Sequence, residues 1–131
     1  MIMLDTHAWI WWVSDPSLLS AKARSAINRA IEEDEVHVSA ISAWEVAVLV
    51  RRGRLKLTME VRDWIARSEA LPFFQFVPVS AHIAVESVGL PDFPHDDPAD
   101  RIIVATARSL NATLITKDEK IRKYSHLKSL W

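Results

Sequence analysis

The sequence predicts an α/β fold, one domain over residues 1–131 with a central parallel sheet covered by helices on both sides. Two observations carry this. Short apolar segments alternate with longer segments of helical periodicity along the whole chain, the pattern of repeated strand–helix units. The first segment, Met1 to Leu4, is apolar at every position, as a strand buried on both faces must be. Size agrees: at 131 residues, half of them hydrophobic and a quarter charged, the chain has a normal globular balance and buries about two-thirds of its unfolded surface without a staple.

Met1 to Leu4 is a strand closed by Asp5, and a helix follows from Thr6 to about Val13, ending near Asp15-Pro16. Ser20 caps an amphipathic helix whose Ala23, Ala26, Ile27, Ala30 and Ile31 share one face. Val36 to Ala40 is the second strand. From Ile41 or Ser42 a helix runs to Arg52, where Gly53 is a natural stop. Thr58 to Ala70 is the next helix, with Val61, Trp64 and Ile65 inward. Phe76 to Val79 forms a third strand and Ala81 to Val88 a short helix. Leu90 to Pro98, with three prolines and a run of acids, is the main loop. Ala99 to Leu110 is helical, Ala112 to Thr116 a fourth strand, and Lys117 to Lys123 a last helical turn or two. The tail from Leu127 is placed to add an edge strand, giving four or five in all.

Composition excludes several functions. No cysteine is present, so a disulfide scaffold and Cys-based zinc or iron–sulfur sites are ruled out. Two glycines cannot build a phosphate-cradling loop of the Rossmann or Walker kind. The five histidines have no paired spacing on one helix face, which argues against a His-based zinc site. The start, Met-Ile-Met-Leu-Asp, lacks the basic opening of a signal peptide. No apolar run approaches the ~18 residues of a membrane span, so a soluble, cytoplasmic protein without membrane contact is expected. The net charge of −1 is not that of a bulk electrostatic nucleic-acid binder. A carboxylate cluster holding a divalent ion is, however, locally neutralised.

The acids carry the chemistry. In an open parallel sheet, ligands bind beyond the carboxyl ends of the strands. Asp5 stands just after the first strand, Glu45 early in the helix after the second, Asp100 in the first turn of its helix, and Asp118 two residues after Thr116. Each also has a structural explanation. Asp5 suits an N-cap; Ser42 to Glu45 matches a capping box; Pro98 and Asp100 fit the first and third positions of a helix; Asp118 complements a helix dipole. Together, four carboxylates on one rim repel one another unless a cation is held between them. Such a cluster suits Mg²⁺ or Mn²⁺, which prefer oxygen ligands. A pair of such ions about 4 Å apart activates water and stabilises the leaving oxygen of a phosphodiester.

The motifs LDTHAWIWW, SAISAWEVAVLVRRGRL and HDDPADRIIVATA followed by TLITKDEKI resemble, in order and over nearly the whole chain, the PIN domain. The resemblance is greatest to the toxin ribonucleases of VapBC-type toxin–antitoxin pairs. It implies a three-layer α/β/α fold and an acidic quartet at Asp5, Glu45, Asp100 and Asp118, with all four positions filled. It further implies Mg²⁺ or Mn²⁺ as cofactor, RNA as substrate, frequent homodimerisation and inhibition by a small antitoxin. In this reading Asp5, Asp100 and Asp118 ligate the metal, and Glu45 completes the site as a ligand or by orienting water. Asp97 and Thr116 flank quartet members and are candidates to support them.

Other features are less specific. Arg51, Arg52, Arg54 and Lys56 suit a solvated helix end, with phosphate contact as the alternative. Lys117, Lys120, Arg122 and Lys123 form a second basic run, and Arg101 is the cation most readily placed near RNA. Of six tryptophans, Trp9, Trp11 and Trp12 cannot all face one narrow stripe. At least one is expected near the surface, as part of a dimer contact or an antitoxin groove. A receiver domain needs paired acids after strand one, and an aspartyl-phosphate phosphatase needs a second Asp where His7 stands. Both of these Mg-dependent phosphoryl-transfer alternatives fit poorly. A non-catalytic PIN-like binding module is the other alternative, against which the intact quartet counts.

Overall fold

The computed structural model describes residues 1–33 and 35–131. Five parallel strands, β1 (Ile2–Leu4), β2 (Val36–Ser39), β3 (Phe74–Val77), β4 (Thr113–Ile115) and β5 (Ser129–Leu130), lie in the order β3-β2-β1-β4-β5. Leu4 of β1 is in register with Val38 of β2 and Ile115 of β4. The tail does supply the edge strand, pairing Leu130 with Ile115. Helices α1 (Thr6–Ser14), α2 (Ala21–Glu32), α3 (Ala40–Arg51), α4 (Val61–Glu69), α5 (Ala81–Val88), α6 (Pro98–Ser109) and α7 (Glu119–Arg122) fill the connections, with a 3₁₀ turn at Pro16–Leu18.

Side chains alternate across a strand, so each strand feeds both faces. Leu4, Val36, Val38 and Ile115 point into one core with Trp9, Ile27 and Trp64 from α1, α2 and α4. Met3 and Leu114 point into the other with Ile83, Ile103, Ala107 and Ile121 from α5, α6 and α7. The result is the expected three-layer α/β/α sandwich. Trp9 is fully buried, and its indole N–H donates to Ser68 Oγ at 3.1 Å, giving the one polar atom of that ring a partner.

Helix ends follow local chemistry. Gly53 (φ 70°) closes α3: its amide donates to Val50 and that of Arg54 to Leu49, the paired bonds of a Schellman turn. Asn111 (φ 52°) closes α6 in the same way, through Arg108 and Ala107.

Several boundaries differ from the sequence reading, three of them near the start of a helix or strand. α3 starts at Ala40, capped by Ser39, whose hydroxyl accepts from the Ile41 amide at 3.2 Å. The third strand is Phe74–Val77 rather than Phe76–Val79, because Pro78 has no N–H to continue a ladder. α4 starts at Val61, capped by Glu60, rather than at Thr58. Among the described residues no helix is long and apolar enough to cross a membrane.

Candidate active site

Where strand order reverses in a parallel sheet, the connections on either side part and leave a crevice at the carboxyl edge. Here the reversal falls between β1 and β4. Asp5 stands at the end of β1, 7% exposed, its amide donating to the Ile115 carbonyl at 3.1 Å. One carboxylate oxygen caps α1 by accepting from the Ala8 amide at 2.9 Å. The other accepts from the buried Thr116 hydroxyl just past β4. Thr116 Oγ1 in turn accepts from the Asp118 amide at 3.1 Å. One threonine thus ties two acids together across the crevice. Asp118 caps α7, accepting from Lys120 and Ile121 at 2.9 and 3.1 Å.

Glu45 arrives from α3. Because Ser39 caps that helix, Glu45 lies in its second turn and is no partner in a capping box. Its carboxylate accepts from the Thr6 hydroxyl at 2.5 Å, and the fully buried Ser42 Oγ lies 2.8 Å from the same Thr6 oxygen. A hydroxyl has a single proton, so Thr6 gives its own to Glu45 and accepts from Ser42. Asp100 sits in the first turn of α6, where Asp97 accepts from its amide at 3.0 Å and Pro98 begins the helix. This agrees with the sequence placement.

Asp5, Glu45 and Asp100 are each affected by neighbouring acids. Burial, first, and then the charges of Asp97, Glu45, Asp118 and Asp5 push the Asp100 carboxyl up to about 7. Burial also raises Asp5, with Asp118 adding to the effect and the Thr116 and Ala8 hydrogen bonds opposing it. Glu45 is raised by burial, then by Asp97 and Asp5, and held down by the Thr6 hydrogen bond. Desolvation and like charge both disfavour the ionised forms. A divalent cation reverses both effects, and these half-buried carboxylate oxygens are the donors that a hard ion prefers. The residues therefore fit such an ion, which would favour the ionised form of Asp100.

Three neighbours are not read as part of the site from sequence: Thr6, Ser42 and His95. The imidazole Nε2 of His95 lies 3.5 Å from Asp100 Oδ2. One ligand atom each from His95, Asp100 and Asp118 falls within 4.8 Å of the others. The available clue was the placement of His95 two residues before Asp97 in an acidic loop.

Arg101 is engaged with backbone carbonyls. Its guanidinium donates to the carbonyls of Ser87, His95 and Val88 at 2.8, 2.9 and 3.1 Å, and lies 5.5 Å from the Phe93 ring centre. Trp11 and Trp12 are half-buried against the core, Trp11 packing on His7 and Trp131, and Trp12 on Phe73. The exposed tryptophan is Trp44, at 59%, one residue before Glu45. In the second basic run, Arg122 and Lys123 line a surface groove of about 410 Å³ with Lys22 and Trp131, while Lys117 Nζ lies 5.6 Å from the Trp11 ring centre.

Residues 2–127 match the family model of the PIN domain. The chain belongs to the PIN domain family. This PIN domain is 36% identical over 125 residues to Ribonuclease VapC22 of Mycobacterium tuberculosis, the match covering 95% of this chain and 92% of the relative. Its fold is shared with the crystal structure of VapBC2 from Rickettsia felis bound to a DNA fragment from their promoter. That match has a TM-score of 0.73 at 16% identity and covers 100% of this chain and 99% of that one. A toxin-antitoxin complex from Klebsiella pneumoniae gives a TM-score of 0.65 at 24% identity, covering 100% and 97%. The sheet order that sets Asp5 beside Thr116 thus belongs to a PIN architecture.

Proposed function

We propose that this PIN domain is a metal-dependent endoribonuclease hydrolysing RNA phosphodiester bonds, and the toxin of a type II toxin–antitoxin pair. Residues 1–131 work as one nuclease domain. What supports the reading is that Asp5, Glu45, Asp100 and Asp118, each half-buried or buried, lie near enough for the charges of the other three to help raise Asp100. The 36% identity to Ribonuclease VapC22 supports RNA as substrate. The fold shared with toxin-antitoxin complexes supports a small antitoxin as partner.

Asp5, Asp100 and Asp118 would hold Mg²⁺ or Mn²⁺. When bound, the ion supplies positive charge at the reacting phosphodiester and lowers the pKa of water. Thr116 holds the Asp5 carboxylate towards the crevice and fixes the Asp118 amide. Thr6 holds Glu45, which orients the attacking water or joins the ligands. An antitoxin would offer a basic side chain to this acidic crevice and lay an apolar segment nearby.

Purified protein should cut RNA with Mg²⁺ or Mn²⁺ and stop on addition of EDTA. Asp5→Asn and Asp100→Asn should each lower the rate at least ~10²-fold, because losing a metal ligand removes several kcal/mol of transition-state stabilisation. Full activity in both variants, with contaminating nuclease excluded, would end the proposal.

A further inference from the structure

We infer that His95 is a nitrogen ligand of the same metal centre and biases it towards transition ions such as Mn²⁺ over Mg²⁺. The inference rests on the nuclease reading above and adds a donor of a different chemical class to an all-oxygen set.

Placement is the first argument. His95 Nε2 lies 3.5 Å from Asp100 Oδ2, and adjacent ligands of a small octahedral ion, each ~2.1 Å from it, are about 3 Å apart. Asp118 offers an oxygen within 4.8 Å of both. Ligand atoms from the loop, the first turn of α6 and the cap of α7 therefore lie close enough for a small adjustment to bring them onto one ion.

The second argument is that the loop does not need this imidazole to hold its shape. The backbone carbonyl of His95 already accepts from Arg101 at 2.9 Å. The Pro91 carbonyl accepts from the Tyr124 hydroxyl at 2.5 Å. Phe93 packs edge-on to Tyr124, with ring centres 5.0 Å apart. The His95 ring packs against Phe93 at 4.8 Å, and its nitrogen edge is turned to the acids. The loop is anchored by other groups and delivers the imidazole to the rim.

Chemistry supplies the preference. Mg²⁺ is hard and takes oxygen ligands, whereas imidazole adds affinity for first-row transition ions. A mixed nitrogen and oxygen set should therefore separate two ions that a pure carboxylate set treats more alike.

The test is Mn²⁺ binding to the metal-free protein, read by continuous-wave and pulsed electron paramagnetic resonance, without any activity measurement. Bound Mn²⁺ in the wild type should show coupling to ¹⁴N. His95→Ala should lose that coupling and bind Mn²⁺ at least ~10-fold more weakly, while Mg²⁺ affinity by competition changes less than ~3-fold. His95→Asp should regain affinity through oxygen and favour Mg²⁺. Melting curves establish that each variant is folded. Mn²⁺ bound without ¹⁴N coupling, and with equal affinity in His95→Ala, overturns the inference and leaves the nuclease reading intact. Absence of Mn²⁺ binding in the wild type, or binding unaffected by Asp100→Asn, overturns both.

Discussion

Asp100 shows how one side chain links the site to stability. Its carboxyl is raised from 3.8 to about 7, so between these values the native protein keeps a proton that the unfolded chain releases. Stability contributed by that proton is fully present below pH 3.8 and is lost as pH rises through about 7. Without metal, the melting temperature of the wild type should fall relative to that of Asp100→Asn as pH rises from 5 to 8. Mn²⁺ at pH 8 should restore the wild type by several degrees, following RT ln(1 + [L]/Kd), and leave the variant almost unmoved. Parallel melting curves of the two proteins across that range, without metal, would show that Asp100 is an ordinary first-turn acid. The same residue marks what sequence can reveal. Pro98, Asp97 and Asp100 were legible because helix starts have local rules. The reach of Thr6 to Glu45 was not, because it joins residues 39 positions apart.

At the scale of elements, strand identity and order of appearance follow from apolar pattern, but ends were misread where two local signals competed. Ser39 and Ser42 are both capping residues, and Glu45 three after Ser42 mimics a capping box. The choice was made by tertiary structure: Ser39 ends β2 opposite Val77, and Ser42 is needed as a buried partner of Thr6. A cation beside an acid, such as Arg101, says nothing by itself of which way its side chain turns. Arg101 binds the final carbonyls of α5 and the loop that carries His95. Lysine keeps the charge but not the planar fork. Arg101→Lys should therefore destabilise the protein by about 1–3 kcal/mol, measured by denaturant unfolding. It should also speed amide hydrogen exchange in residues 89–97 while the distant α2 keeps its protection. Equal exchange in that loop would show that the clamp is dispensable.

For the molecule as a whole, the layers and the site lie on one side of a question that the outer surface answers. α5 turns Ala81, Ala84, Val85 and Val88 to solvent, with Val85 72% and Val88 79% exposed. These positions follow i, i+3, i+4, i+7, one helical stripe that a monomer gains nothing by exposing. If the protein self-associates through this stripe, the double substitution Val85→Asp, Val88→Asp should convert dimer to monomer by light scattering. Metal binding should be unchanged, because α5 contributes no acid of the quartet. A persistent dimer would move the interface elsewhere, with Trp44 the next surface to alter.

The bond from Thr116 to Asp5 spans 111 positions, and this has a consequence in time. Asp5 is synthesised 113 residues before Asp118. At roughly 5–20 residues per second their appearance is separated by about 6–23 s. During that interval β1 has β2 on one side, while its other side awaits β4 and the crevice has a single wall. Such distant pairing also slows folding, since a long loop must close before the contact rewards it. The acids therefore come together only after Asp118 has been made, and a nascent chain holds Asp5 and Glu45 long before it holds all four.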